Sequence, residues 1–261
     1  MSSIRHPAVA GMFYPDDPAE LNRQLDQFLQ VPVRTASRPK AVIVPHAGYI
    51  YSGPVAGEAY AALRPYADDI RRVVLLGPSH RVPFAGIAAA DFSVYETPLG
   101  RVPVDLNAVR QLLDKGLVVV RNDAHQFEHS LEVHVPFLQK TLGDFSLIPL
   151  VVGDASYEDV QQVLEQLWGG PETLIVISSD LSHYHDYGTA RAMDERTSRA
   201  IEQLHPEAIQ YDDACGRIPV GGLLLAARQH GLDATTIDLR NSGDTAGPRD
   251  QVVGYGAYVF H

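Results

Sequence analysis

Short runs of consecutive apolar residues, rich in Val, Ile and Leu, recur along this chain and end at Pro, Gly or Ser. Val42-Ile43-Val44, Val73-Val74-Leu75-Leu76 and Thr173-Leu174-Ile175-Val176-Ile177 lack the alternation of a half-exposed strand. They read as strands buried on both faces. Phe145–Val152, the short segment Gly86–Ala90, Thr235–Leu239 and Val252–Phe260 read as further strands. Between them the period becomes helical. Leu21, Leu25 and Leu29 lie four apart, and Pro18 stands near the start of a helix over Asp17–Gln30. Helices are also predicted over about 54–66, from an Asp105 cap to about 115, and from the segment Ala124–His134 to near Leu142. Three more cover Tyr157–Trp168, roughly 188–204 (with a second short one to Asp213) and Val220–His230.

Residues 1–16 are apolar and turn-rich and read as a strap packed on the body, Arg34–Arg38 as a polar link, and Tyr95–Gly100 as a loop. Strands alternate with helices throughout. That pattern predicts an α/β fold: a single-domain sandwich over 1–261 whose central sheet is largely parallel or mixed and covered by helices on both faces. No internal repeat, low-complexity tract or linker divides it.

Composition narrows the partners. The 261 residues are 45% hydrophobic and 20% charged, ordinary for a soluble globular chain. Lys and Arg number 21 against 32 Asp and Glu, a formal charge of −11. Such a surface repels phosphate backbones and anionic membranes, so neither nucleic acid nor a membrane is the expected partner. No apolar run reaches membrane-span length, and MSSIRHPAVAG lacks the apolar core of a signal peptide. Cys215 stands alone, so no internal disulfide forms, and a reducing, cytoplasmic setting is expected.

Candidate chemistry gathers where the strands end. His46 follows the first buried run, in a turn where Gly48 offers backbone freedom; His80 follows the second; Asp180, with His183 just beyond, follows the run ending at Ile177. A lone histidine of this kind is ordinarily a loop residue bonded to backbone. If the strands are parallel, however, their carboxyl ends share one edge and these side chains converge on a polar site. Two neutral imidazoles and one anionic ligand make an open site for iron(II), and a similar set serves zinc. Cys215 precedes a predicted helix start with Pro219 near its first position and Arg217 close by, both of which favour thiolate. Sequence alone leaves it a small buried hydrophobe. In Glu128-His129-Ser130-Leu131-Glu132-Val133-His134 the histidines are five apart, which excludes a zincin helix and leaves His129 and Glu132 as candidates for a supporting or proton-transfer role. Ser178 and Ser179 lack the setting of a hydrolase nucleophile, and the glycines form no phosphate loop or dinucleotide fingerprint.

Pro45-His46-Ala47-Gly48-Tyr49, Gly77-Pro78-Ser79-His80, the Glu128–His134 segment, Ser178-Ser179-Asp180-Leu181-Ser182-His183 and Cys215-Gly216-Arg217-Ile218-Pro219, in that order, resemble the Memo family. The Ala10–Tyr14 strap and the closing Gly254-Tyr255-Gly256-Ala257 fit as well, so the likeness spans nearly the whole chain. In bacteria and archaea this family is also called the B component of the AmmeMemoRadiSam system, after neighbouring AMMECR-type and radical SAM proteins, which implies a functional link to them. The resemblance implies a fold similar to class III extradiol dioxygenases and a metal pocket built from His46, His80 and Cys215, lined by Asp180 and His183. A cysteine departs from the two histidines and carboxylate of extradiol enzymes, and a thiolate suits copper or zinc as well as iron. Two functions are therefore expected as alternatives. One is a redox or oxygen-dependent enzyme, using iron(II) foremost, in which His183 or His129 moves protons and Asp180 orients an imidazole or serves as a fourth ligand. The other is a non-catalytic module that binds a peptide or protein, as animal members do with phosphotyrosine peptides; the acidic surface argues against that ligand here, with Arg81 as a counterpoint. Zinc-assisted hydrolysis is a third reading, and the substrate, small molecule or peptide, stays open.

Overall fold

The computed structural model describes residues 3–35 and 37–261; Met1 and Ser2, at the head of the expected strap, and Ala36, in the expected polar link, lie outside the described residues. The chain opens with β1 (Ile4–Arg5) and α1 (Pro18–Leu29), whose cap Asp17 accepts from the Glu20 N–H at 2.8 Å. It continues through β2 (Ala41–Val44), α2 (Tyr49–Ala61), β3 (Arg72–Pro78) and β4 (Ile87–Ala89). A hairpin follows, β5 (Val94–Thr97) and β6 (Gly100–Pro103), then α3 (Leu106–Asp114) and β7 (Val119–Val120). The histidine-bearing segment forms three short helices, α4 (Asn122–Gln126), α5 (His129–Glu132) and α6 (His134–Thr141). The rest runs β8 (Ser146–Val152), α7 (Tyr157–Leu167), β9 (Thr173–Ser178), β10 (His183–His185) and α8 (Tyr187–Glu202). It closes with α9 (Arg217–His230), β11 (Ala234–Asn241) and β12 (Val252–Phe260).

The main sheet has the order β10-β12-β2-β9-β3-β8-β4-β7, with β11 also on β12. Its centre, β2-β9-β3-β8, is parallel; β12 and β4 join it antiparallel, so the sheet is mixed. Every residue of β2 and β9 is buried, as the unbroken apolar runs require when helices cover both faces. On one side α1, α2 and α6 pack together, with α2 against β2 and β12; α7 and α9 pack together, with α9 against β9 and β3. Leu21, Leu25 and Leu29 are the buried stripe of α1.

Several elements differ from the sequence reading. The alanine-rich helix begins at Tyr49 rather than near Pro54, because the Tyr49 N–H is satisfied by the Phe13 carbonyl at 2.8 Å and Gly48 starts the first turn. Pro54 then lies inside it, where the lost bond falls on the exposed Ile50 end of the helix. Gly48 itself has φ −55°, open to any residue, so the turn uses no special backbone freedom. α9 starts at Arg217 rather than Val220, which makes Pro219 its third residue; a first-turn N–H has no intrahelical partner in any case. Tyr95–Gly100, expected as a loop, is a hairpin whose β5 pairs parallel with β1 in a separate three-stranded sheet. The His183 segment is a short strand on β12.

The strap is anchored by a buried ion pair. Arg5 is 2% exposed, and its guanidinium bonds the Glu132 carboxylate and the carbonyls of His125 and Glu128. Glu132 also accepts from the Ala8 and Val9 N–H groups and from the Tyr14 hydroxyl, at 2.8, 3.0 and 2.6 Å. Every lone pair of this carboxylate is thus spent on residues 5–14. Removing one member of such a pair strands the other charge in the interior. Glu132→Ala should therefore destabilise the protein by roughly 3–5 kcal/mol in denaturant titrations, and a loss under about 1 kcal/mol would show that the strap is not held this way.

Candidate metal centre

The parallel register decides what meets at the sheet edge. Val44 of β2 stands beside Ser178 of β9, and Leu76 of β3 beside Ile177, so the chain leaves all three strands at one level. His46 and His80, each two residues past its strand, and Asp180 therefore flank the end of β9. Cys215 comes from the turn before α9. That turn lies so close to β9 that a Cβ on Gly216 would stand 2.6 Å from the Ser178 carbonyl oxygen, which explains the glycine. The Gly216 N–H bonds Ser179 Oγ at 3.0 Å, and the Asp180 N–H points to Cys215 Sγ at 3.3 Å.

These groups line the floor of a cavity of about 1080 Å³, together with His129 and His183. One donor atom each from His46, His80 and Cys215 lies within 4.8 Å of the others. The Cys215 Sγ to His46 Nε2 distance is 3.3 Å. Tetrahedral zinc-like coordination by nitrogen and sulfur needs donors about 3.3–3.6 Å apart, a separation that the Cys215–His46 pair already has. Asp180 holds the His46 backbone N–H at 2.7 Å, with its second oxygen 4.0 Å from His46 Nε2. A second cluster, His80, Glu128 and His129, is also compact. It is a poorer cation site, because Glu128 already accepts from the His80 N–H (2.6 Å), His80 Nδ1 (2.9 Å) and the Ser130 N–H (3.0 Å). Glu128 instead supports His80: with Nδ1–H donated to a carboxylate, the Nε2 lone pair is free to face the cavity. Gly77 permits this, since a Cβ there would come within 2.8 Å of Ser130 Oγ.

Burial sets the charges. It pushes His46 well below the usual histidine range, helped by the neighbouring His80, His129, His134 and His183. It lowers His129 to about 4, against the pull of Glu128, and lowers His183 as well. It raises Asp180 to about 7 despite the His46 N–H bond. Burial and the Asp180 carboxyl together push the Cys215 thiol up. That corrects the sequence expectation of a thiolate favoured by Arg217, whose guanidinium turns away to the Tyr157 hydroxyl at 2.6 Å. Burial also raises Glu128, but the bonds from His80 and Ser130 outweigh it and hold the carboxylate near 2. The floor thus combines His46, His129 and His183 rings of lowered proton affinity with a protonated thiol and the half-titrated Asp180, and the ionised Glu128 stands behind His80.

Of the residues singled out from sequence, His46, His80, Cys215, Asp180, His183 and His129 line one cavity. Glu132 does not. It is committed to Arg5 and the strap, so the proton-transfer role expected for it has no geometric support. His134 is buried behind the floor on Tyr60 and Ser178. Glu128 and Ser178, which meet the Nδ1 atoms of His80 and His46, have no local sequence signal, because a charged helix start and a serine without a nucleophile motif carry none. The cavity mouth is aromatic: Tyr51, Tyr184 and Tyr211 line it, the last two 71% and 82% exposed, and Tyr184 holds a left-handed backbone with φ 61°.

Comparison with known proteins finds relatives along nearly the whole chain. The family model described as "Memo-like protein" matches residues 5–259. A MEMO1 family protein of Aquifex aeolicus is 39% identical over 268 residues, covering 98% of this chain and 99% of that one. Another, from Pyrobaculum arsenaticum, is 34% identical over 281 residues and covers 99% of both chains. The crystal structure of an uncharacterised protein from Escherichia coli K12 superposes with a TM-score of 0.56 at 13% identity, covering 85% of this chain and all of that one, which shows a shared fold.

The buried titrating groups give the metal-free protein a definite pH response. His46, His125, His129, His134 and His183 all have lowered proton affinity in the fold, so the unfolded chain binds more protons below about pH 6.5. They add stability as pH rises. Asp180 and Asp194, raised to about 7 and about 6, act in the opposite sense above about pH 4. Five imidazoles outweigh two carboxyls. The thermal midpoint of metal-free protein should climb between about pH 4 and 6.5, and a flat or falling midpoint would mean that these rings are not held neutral.

Proposed function

The chain belongs to the Memo family, and we propose that it is a metal-dependent enzyme in which His46, His80 and Cys215 hold a single iron(II) for oxygen-dependent redox chemistry on a small substrate. The observation that carries this reading is the convergence of two imidazoles and a thiol on the floor of one cavity. The donor chemistry fits: two neutral nitrogen ligands and one anionic sulfur leave coordination positions open towards the cavity, and copper or zinc would accept the same set. When bound, iron(II) would supply one-electron chemistry and a place to activate oxygen.

The chain's own residues perform the remaining tasks. Glu128 fixes His80 through both its backbone N–H and its ring. Asp180 fixes the His46 backbone and has a proton affinity suited to exchange near neutral pH. His129 and His183, neutral and facing the cavity, can accept a proton from a bound substrate. The thiol must give up its proton to become a ligand, so metal binding releases one proton there.

A second reading has its own observation. The exposed, backbone-strained Tyr184 and the exposed Tyr211 at the mouth are the side chains a peptide-binding rim uses. In that case the protein is a binding module that retains the pocket.

Elemental analysis of protein purified without oxygen or an affinity tag separates the two. We expect iron near one per chain, lost in both His46→Ala and Cys215→Ala. Apparent affinity should rise about tenfold per pH unit with release of the thiol proton, and this slope should disappear in Cys215→Ser. Failure to take up iron(II), copper or zinc would favour the binding module.

A further inference from the structure

Behind the cavity floor, Ser178 Oγ meets three partners: His46 Nδ1 at 2.6 Å, His134 Nε2 at 2.9 Å and the Ser130 carbonyl oxygen at 2.6 Å. All are buried; Ser178 and Ser130 have no exposed surface, and His134 and His46 are 1% and 2% exposed. No water competes in such a place, so the proton count decides the pattern. A hydroxyl has one hydrogen. A carbonyl oxygen only accepts. The Ser178 hydrogen therefore goes to Ser130, and both imidazole nitrogens facing Ser178 must donate to its lone pairs.

The surroundings of His134 agree with this assignment. A neutral ring that donates from Nε2 has a bare Nδ1, and His134 Nδ1 faces the Tyr60 hydroxyl at 2.9 Å, a donor. The chain Tyr60–His134–Ser178 closes in this direction, and its reversal would take the Ser178 hydrogen away from the Ser130 carbonyl. The opposite arrangement, with Ser178 donating to His46, would set two oxygen lone pairs against each other 2.6 Å apart at Ser130.

We propose that Ser178, ordered by the Ser130 carbonyl and by the Tyr60–His134 pair, is a positioning residue that locks His46 in the Nδ1–H tautomer and so aims the bare Nε2 at Cys215 and the metal position. A histidine ligand usually has its tautomer set by a carboxylate or a carbonyl; here a serine does it, because a hydroxyl whose hydrogen is already engaged is a pure acceptor. His80 receives the same service from Glu128, so two independent supports preset two Nε2 lone pairs. The effect on metal affinity rests on the metal centre proposed above; the tautomer does not.

The test begins with metal-free full-length protein labelled with heavy nitrogen, by long-range proton–nitrogen correlation spectra at neutral pH. His46 is expected to carry its proton on Nδ1 in the wild type, to shift towards Nε2–H in Ser178→Ala, and to keep Nδ1–H in Ser178→Thr, which restores the hydroxyl. A wild-type His46 protonated on Nε2 overturns the proposal, and this reading needs no variant to fold. Zinc titration against a chelator gives the second readout. Ser178→Ala should bind roughly 10–100-fold more weakly, and Ser178→Thr close to the wild type. Equal zinc affinity in wild type and Ser178→Ala overturns the positioning role. Wild-type protein that binds no metal yet shows Nδ1–H overturns the metal centre and leaves the tautomer lock standing.

Discussion

The cavity floor depends on one constraint, the in-register parallel pairing of β9 between β2 and β3. Parallel strands leave the sheet at the same edge, so residues separated by more than a hundred positions arrive within a few ångströms of one another without any local motif to guide them. A one-residue slip of β2 against β9 would turn His46 to the other face and break its contacts with Ser178 and Asp180 together. The unbroken apolar runs of these strands oppose such a slip only weakly, since both faces are buried. The polar contacts at the strand ends therefore help to set the register.

Burial then determines the electrostatic character of the site. Burial lowers the proton affinity of His46, His129 and His183, keeps the Cys215 thiol protonated, and leaves Asp180 near the middle of its titration. Glu128 is the exception, and its two-point contact with His80 explains why. One donor atom each from His46, His80 and Cys215 lies within 4.8 Å of the others. The net charge of −11 is a sum over the whole chain, whereas the charges in the cavity follow local burial and hydrogen bonding.

The segment from His125 to Thr141 joins the strap to the cavity floor. On one side Glu132 holds the strap through Arg5 and Tyr14; on the other Glu128, Ser130 and His134 form the back wall of the floor. The sequence shows a motif with several histidines and glutamates, and the fold distributes them among separate jobs. Glu128 orients a candidate ligand, His129 faces the cavity, His134 lies behind it, and Glu132 is structural.

The sequence alone determined the α/β architecture, because apolar runs too long to alternate can be buried only in a sheet covered on both faces, and the helical periods between them supply the cover. It also pointed to His46, His80, Asp180, His183 and Cys215, through strand ends and through motifs read in order. The hairpin at Tyr95 and the strand at His183 escaped it, as segments of three or four residues carry too little pattern to separate strand from loop. Only the tertiary structure could decide that Glu132 belongs to the strap, that Arg217 leaves the thiol for Tyr157, and that Ser178 is an acceptor for two imidazoles. Each of these is a question of which polar group a side chain meets across a distance of 60 to 127 residues or of how a single hydrogen is shared, and pairing of that kind has no period along the chain.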